Sequence, residues 1–476
     1  MNDIPMMSAL LKYNEEKNSL FCIPGHKGGK GFKRKVQKKN IQRLLLTSDL
    51  TEVEGLDNLH NPKGAIKEAE ELLSQYYNSK RSYFMVNGST SGNMAMIFSS
   101  LEEGDKILVE RNCHKSIFNA IIMRKLNPIY LANQTDKEFN APLGIDITNL
   151  KEIIEEHSDI KAIIVTYPNY YGVCCNLKYI VEICKESDIK VLVDAAHGAH
   201  FGAHPMLPEN PLKIGVDMAV MSAHKTLPSL TQSAYLHVND ESLIERVDFY
   251  VSAFLSTSPS YMLMLSMDYA RWYIKEEGNK SYEELFSRIE SFKKELSNLN
   301  FLRVLDKKEL INSNSTDIDE SRIVINLKEG LSTCMVDEYL RKNKIQVEMI
   351  DASNLILIPS PFNSKEDFKR LYKALKNLDT RTVEGKQLKV IDVPIPKQLM
   401  MPFEAFKKPK QKVLLKDSIG KISAVNVCPY PPGVPIIVMG ELIEGNTIEM
   451  IEYYVSNNVD VIGIKDGKID IIKKDN

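Results

Sequence analysis

The sequence predicts an α/β fold built on a mostly parallel sheet, and three observations carry that expectation. From about residue 80, short β-rich runs alternate with longer helical patterns. The runs are continuously apolar rather than alternating, as strands covered by helices on both faces require. Polar side chains then recur just past the carboxyl ends of these runs, which is where open α/β sheets bind ligands.

The elements follow in order. SYFMV (82–86) leads into NGSTSGNMAM (87–96), with a helix expected from near Gly92. KILVE (106–110) precedes the helical pattern SIFNAIIMRKL (116–126), and KAIIVTY (161–167) follows one ending EIIEEHS. KVLVD (190–194) follows YIVEICKES, and MAVMS (218–222) and SAYLHV (233–238) complete the series. Beyond it, RIVINLKEG and NLILIPSP with the helical patterns MVDEYLRKN and KEDFKRLYKALKNL predict a smaller α/β unit. A proline-richer tail (VPIPKQLMMPFEAF, CPYPPGVP) ends in VDVIGIKDGKIDIIKK, read as a hairpin. The expected organisation is an N-terminal arm (1–45), a large domain (46–285), a small α/β domain (286–380) and a C-terminal α+β domain (381–476).

Composition narrows the function classes. The 476 residues carry 61 Lys and Arg against 63 Asp and Glu, a net charge of -2 that argues against electrostatic nucleic-acid binding. The N-terminus has no signal-peptide pattern and no apolar run approaches membrane-spanning length. Seven scattered cysteines with no CxxC pair fit free thiols in a reducing cytoplasm. The one basic stretch, HKGGKGFKRKVQKKNIQR (26–43), reads as a solvated loop and helix face, and it lacks the GxxxxGK[ST] of a P-loop.

The strand ends bring unusual chemistry to one rim. NGSTSG runs glycines and hydroxyls into a helix N-terminus, which suits a phosphate and equally an ordinary N-cap. Asp194 ends a buried strand, so its charge needs a partner: a protonated ring nitrogen, a helix cap or a salt bridge would each serve. His114 opens a helix, where it could cap or stack on a flat ring. Lys225, in MSAHKTLPSL, stands at the lip of a buried strand, where an ammonium is expensive unless used, although snorkelling is the commoner fate of a lysine. Together, a phosphate cradle, a buried carboxylate, an imidazole and a strand-end lysine meet the requirements of pyridoxal 5'-phosphate: an anchor, a partner for the pyridinium nitrogen and an amine for the aldehyde. No GxGxxG marks a nicotinamide site, and the pair in HGAH (His197, His200) has no third ligand, so no metal is expected.

The motifs FCIPGHKGG, DLTEVEGLDNLHNPKGAI, FMVNGSTSGNMAM, ERNCHKS, TYPNYYGV, VLVDAAHGAHF, SAHKTLPSLTQSAYLHV, STSPSY and PYPPGVP occur in that order from residue 21 to about 435. With them the chain resembles the ornithine/lysine/arginine decarboxylase family of fold-type I pyridoxal-phosphate enzymes, in its short form. The resemblance implies an aspartate aminotransferase-like large domain, a small domain and a C-terminal segment. It also implies a cytoplasmic amino-acid decarboxylase of polyamine metabolism, acting on arginine, lysine or ornithine to give an amine and CO2. Lys225 becomes the Schiff-base lysine, Asp194 the partner of the pyridine nitrogen and His114 the ring-stacking imidazole. Thr90, Ser91, Ser222 and His224 would hold the phosphate, and His197 would lie near the ring hydroxyl. Thr257 and Ser258 in STSPSY would reach the cofactor of a neighbouring subunit, making the active form a homodimer with shared sites.

Two departures bear on substrate rather than cofactor. Ala195 stands where the family usually has Glu, and in ISAVNVCPYPPG, Val425, Asn426 and Cys428 replace a frequent Glu, a small or apolar residue and a Thr. If that Glu receives a cationic side chain, another acid must substitute here, with Glu404 in MPFEAF as a candidate. Transamination or elimination on the same cofactor, and a cofactor-binding regulatory paralogue, are the competing readings. Whether Lys225 or His224 protonates the product carbon is left open by the sequence.

Overall fold

A computed structural model describes residues 4–33, 35–36, 39–310, 313–385, 395–430, 434–456 and 459–473. Its centre is a seven-stranded sheet in the order Arg81–Met85, Ala234–Val238, Met218–Met221, Lys190–Asp194, Ile160–Thr166, Lys106–Glu110, Asn127–Leu131. Six strands run parallel to one another; Ala234–Val238 is antiparallel to both its neighbours. The carboxyl ends of the six therefore share one edge. The four residues Met218–Met221 are all buried, as are Val191, Leu192 and Val193, which accounts for the continuous apolar runs in the sequence.

Helix Gly88–Ser100 lies tight on this sheet. A side chain at Gly92 would place its Cβ 2.9 Å from Val220, so only glycine permits the approach. The helix begins at Gly88 rather than near Gly92. Gly88 itself has φ +76°, and the turn it makes lets the chain enter the helix straight from the strand. The hydroxyl run Ser89-Thr90-Ser91 thus forms the first helical turn instead of a preceding loop.

A 36-residue helix, Tyr261–Leu296, leads from this layer into a four-stranded antiparallel sheet, Leu302–Val304, Ile323–Leu327, Asn354–Leu357 and Met349–Ile350. Helices Thr333–Lys342 and Lys365–Lys376 accompany it, the second fixed by a capping box between Ser364 and Asp367. The N-terminal segment belongs to this region too, since Ser19–Phe21 pairs in parallel with Ile345–Val347.

The C-terminal residues form their own core around Val427, Ile437, Ile443, Ile451 and Ile469. The expected terminal hairpin is only partly present. Ile464–Lys465 does fold back on Lys468–Ile472, but that strand pairs chiefly with Lys410–Leu414, and Asp460–Ile462 pairs with Cys428–Tyr430 instead. Gly463, at φ +93° with asparagine 426's carbonyl against it, breaks the run between the two pairings. Part of CPYPPGVP (431–433) falls outside the described residues.

Candidate active site

Five of the parallel strand ends deliver their polar residues to one rim. Asp194 closes the central strand, in register with Thr166 on one side and Val220 on the other, and is 2% exposed. Its Oδ2 accepts from Asn93 Nδ2 at 2.8 Å and its Oδ1 from the Ala196 N–H at 3.1 Å. Among the described residues it meets no lysine or arginine at ion-pairing distance. A buried carboxylate with two neutral donors and no countercharge is suited to a cationic ring nitrogen.

Asn93 links this carboxylate to His114. Its Nδ2 also donates to Ser116 Oγ at 3.0 Å, and Ser116 Oγ lies 2.8 Å from His114 Nδ1. His114 is the N-cap of helix Lys115–Arg124, accepting from the Ser116 N–H at 3.2 Å on that same Nδ1. Burial draws its pKa below the usual value, opposed by Asp194 and reinforced by Lys225. Nothing in local sequence pattern singled out Asn93 or Ser116; only the packing of two helices on the sheet edge brings them between Asp194 and His114.

The expected phosphate groups gather at the start of helix Gly88–Ser100. Asn87 gives no side-chain cap, which leaves the first-turn N–H groups available to an anion. Ser222 donates to Ser89 Oγ at 2.9 Å, joining two strand ends there. Thr90 is exposed, while Ser91 is buried with its hydroxyl on the Gly88 carbonyl at 2.8 Å. His224 turns away to donate from Nδ1 to the Ser233 carbonyl at 2.9 Å, and burial lowers its pKa.

Lys225 sits on the short turn Ala223–Thr226 that follows strand Met218–Met221. Its Nζ is 3.0 Å from His197 Nε2, and the His197 ring meets Tyr170 edge to face at 4.7 Å. Burial lowers the lysine pKa, with Arg322 acting in the same direction and Asp194 and Glu348 against it. Arg322, absent from the sequence expectations, comes from the strand region of the small sheet to within 3.3 Å of His197 Nδ1.

Beneath this turn runs PGHKGG. The Gly25 N–H donates to the His224 carbonyl at 2.8 Å, and a Cβ on Gly25 would stand 2.6 Å from the Leu227 carbonyl oxygen. The reading of this basic stretch as a solvated face is corrected at Lys27, which is 1% exposed. Its ammonium donates to the Cys22 carbonyl and to the Ile358 carbonyl at 2.7 Å, and burial lowers its pKa to about 8. Carbonyl acceptors, invisible in a composition count, make that burial tolerable.

Three expected residues lie apart from the rim within one chain. Thr257 and Ser258 are exposed on the loop before helix Tyr261–Leu296, beside the Asp57 and His60 loop, whose His60 Nε2 donates to the Ser256 carbonyl at 2.8 Å. Glu404, the candidate substitute acid, is exposed and serves as a helix cap, accepting from the Met401 N–H at 3.1 Å. A six-residue helix, Pro402–Lys407, uses that carboxylate locally. Val425 packs against the C-terminal core and Asn426 accepts from the Met439 N–H at 2.8 Å. Among the described residues there is no cluster of three or more His, Cys, Asp or Glu fit for a metal, and no helix is long and apolar enough to cross a membrane.

Comparison with known proteins identifies the family. Residues 4–326 match the family described as Orn/Lys/Arg decarboxylase, major domain, and residues 386–459 match its C-terminal domain. An arginine decarboxylase of Bacillus subtilis is 33% identical over 99% of this chain and 98% of its own length. An uncharacterised Bacillus subtilis protein is 36% identical, covering 96% of both. The lysine decarboxylase of Francisella novicida superposes with a TM-score of 0.79 at 24% identity, over 99% of this chain and 82% of that one, and shows the shared fold. With family matches over residues 4–326 and 386–459, the chain belongs to the ornithine/lysine/arginine decarboxylase family.

Proposed function

We propose that this rim holds pyridoxal 5'-phosphate and decarboxylates a basic amino acid, with arginine favoured by the relatives that share nearly the whole chain. Family membership makes the protein an amino-acid decarboxylase, a carboxy-lyase. The observation that carries the cofactor assignment is Asp194: a buried carboxylate, one strand away from Lys225, with no lysine or arginine at ion-pairing distance among the described residues. The uncapped start of helix Gly88–Ser100, with Ser89 and Ser222 beside it, supplies the anion site such a cofactor needs.

The bound cofactor supplies an electron sink for the electron pair left when CO2 departs. Asp194 stabilises positive charge on the ring nitrogen, and Asn93 fixes the carboxylate orientation. His114, held by Ser116 and by its capping role, would place its imidazole against the cofactor ring. Lys225 would hold the cofactor through its aldehyde and is one candidate to return a proton to the product carbon. His224 donates from Nδ1 to the Ser233 carbonyl, so it could deliver a proton only after first taking one up on Nε2.

A homodimer is part of the proposal. Thr257 and Ser258 are exposed in the single chain, as are apolar side chains along 44–56 such as Leu46 and Val53. A second copy covering that surface would both bury the apolar groups and bring the two hydroxyls to its own phosphate. A cytoplasmic setting is supported by the seven cysteines, all free. The test is to load purified protein with pyridoxal phosphate and supply arginine, lysine, ornithine and an uncharged amino acid. Amine and CO2 from a basic substrate support the reading; a keto acid without CO2, or no turnover of any, refutes it.

A further inference from the structure

Two cationic side chains, Arg322 and Lys225, address opposite nitrogens of one imidazole. Arg322 Nη2 lies 3.3 Å from His197 Nδ1, and Lys225 Nζ lies 3.0 Å from His197 Nε2. A neutral imidazole has one N–H and one lone pair, so it cannot accept from both. A guanidinium only donates and does not lose its proton in proteins. We infer that Arg322 fixes His197 as the Nε2–H tautomer, so that His197 donates to Lys225 and holds that side chain as a free amine.

The surroundings are built to keep Arg322 in this role. It is 3% exposed, and its Nη1 donates to the Tyr170 carbonyl at 3.4 Å. Gly172, at φ +87°, makes room for it, since a Cβ there would be 2.9 Å from the Arg322 Cβ. Asp319 Oδ2 lies 3.9 Å from Nη2 and is itself held by His200 at 3.0 Å, while its Oδ1 takes the Ser321 hydroxyl at 2.6 Å. His197 cannot escape the conflict by becoming an imidazolium. Burial pushes its pKa well below the usual value, and Lys225, Arg322, His224 and His200 all add to that direction. Facing Lys225, Asp194 and Glu348 favour the ammonium; burial and Arg322 favour the amine.

The consequence concerns the lysine proposed above to bond the cofactor aldehyde. Carbonyl addition needs a nitrogen lone pair, which an ammonium lacks. Arg322 is a positioning residue acting through His197.

The inference rests on the proposed role of Lys225 for its importance, but its test uses neither cofactor nor substrate. In cofactor-free protein labelled with 15N-histidine, with His197→Gln assigning the signal, His197 should carry its proton on Nε2 near pH 8. Acylation of Lys225 followed by peptide mapping should show a pH midpoint below that of exposed lysines in the same sample. Arg322→Met should raise that midpoint by about one unit, a roughly tenfold slower labelling at neutral pH, and Arg322→Lys should restore most of it. A proton on Nδ1 in the wild type, or a midpoint unmoved in Arg322→Met, overturns the inference. Should Arg322→Met not fold, the wild-type tautomer decides alone. Protein that passes both readouts yet takes up no pyridoxal phosphate upholds the tautomer and refutes the proposed function.

Discussion

Arg111 and Glu441 form a buried bidentate ion pair, Nη1 to Oε1 at 2.6 Å and Nη2 to Oε2 at 2.8 Å, across 330 residues of sequence. Arg111 also donates to the Pro435 and Ile436 carbonyls, each at 3.1 Å, and lies over the Tyr130 ring at 5.0 Å. It stands three residues before His114, so this one guanidinium fastens the C-terminal segment to the loop that carries His114.

Breaking that pair from one side leaves a charge buried without its partner. Glu441→Gln and Arg111→Met should each destabilise the fold by about 3–5 kcal/mol. The double variant Arg111→Met/Glu441→Leu should lose less than the sum of the two. Urea denaturation of all three settles it; single variants as stable as the wild type would make the pair energetically neutral.

Borohydride reduction of pyridoxal-phosphate-loaded protein, followed by peptide mapping, should place the pyridoxyl adduct on Lys225. An adduct on the buried Lys27 would move the chemistry to the N-terminal arm.

Asp194→Asn keeps the shape but removes the charge. Cofactor retention with a rate loss of at least about 10²-fold is expected, the usual magnitude for losing one transition-state electrostatic partner. Near-normal turnover would make Asp194 structural.

Hybrid dimers test the shared site. Lys225→Ala and Ser258→Ala chains, each impaired alone, should regain part of the activity when mixed, because one of the two sites is then intact. Demonstrated heterodimers without recovery would return the phosphate contact to a single chain.

Glu70 gives a pH dependence unrelated to catalysis. It is buried, accepts from the Phe84 N–H at 3.0 Å, and burial raises its pKa from 4.5 to about 8. Between those values the folded protein holds a proton that the unfolded chain has lost. Its contribution is therefore complete below pH 4.5 and disappears as pH rises through about 8. Glu70→Gln, with no proton to lose, should gain stability relative to the wild type as pH rises from 5 to above 8. A difference that stays constant with pH would show that Glu70 is charged in the fold.

The sheet and the rim were legible because buried parallel strands write themselves as apolar runs, and the residues that follow each run must meet at one edge. Lys225, Asp194 and His114 could be found that way. Asn93 could not, since a polar residue one turn into a helix has no periodicity to betray it. Arg322 and Glu441 were equally hidden, because their partners lie more than a hundred residues away and arrive from other sheets. The terminal hairpin was legible only between Ile464 and Ile472 for a related reason: VDVIGIKDGKIDII has strand propensity throughout, and Gly463 and the competing strands decide the rest of its pairing.

The pairing of Ser19–Phe21 with Ile345–Val347 has a consequence for how the chain is made. Strand Ser19–Phe21 has no strand partner until residues 345–347 follow it. Ile23 donates to Glu348 across 325 residues and Lys27 to the Ile358 carbonyl across 331. Closing so long a loop carries an entropy that these late contacts help repay, so Ser19–Phe21 pairs late in folding, after standing as an unpaired strand edge. A chain cut before residue 345 would contain both Lys225 and Asp194, and would still lack the anchorage of the floor on which Lys225 rests.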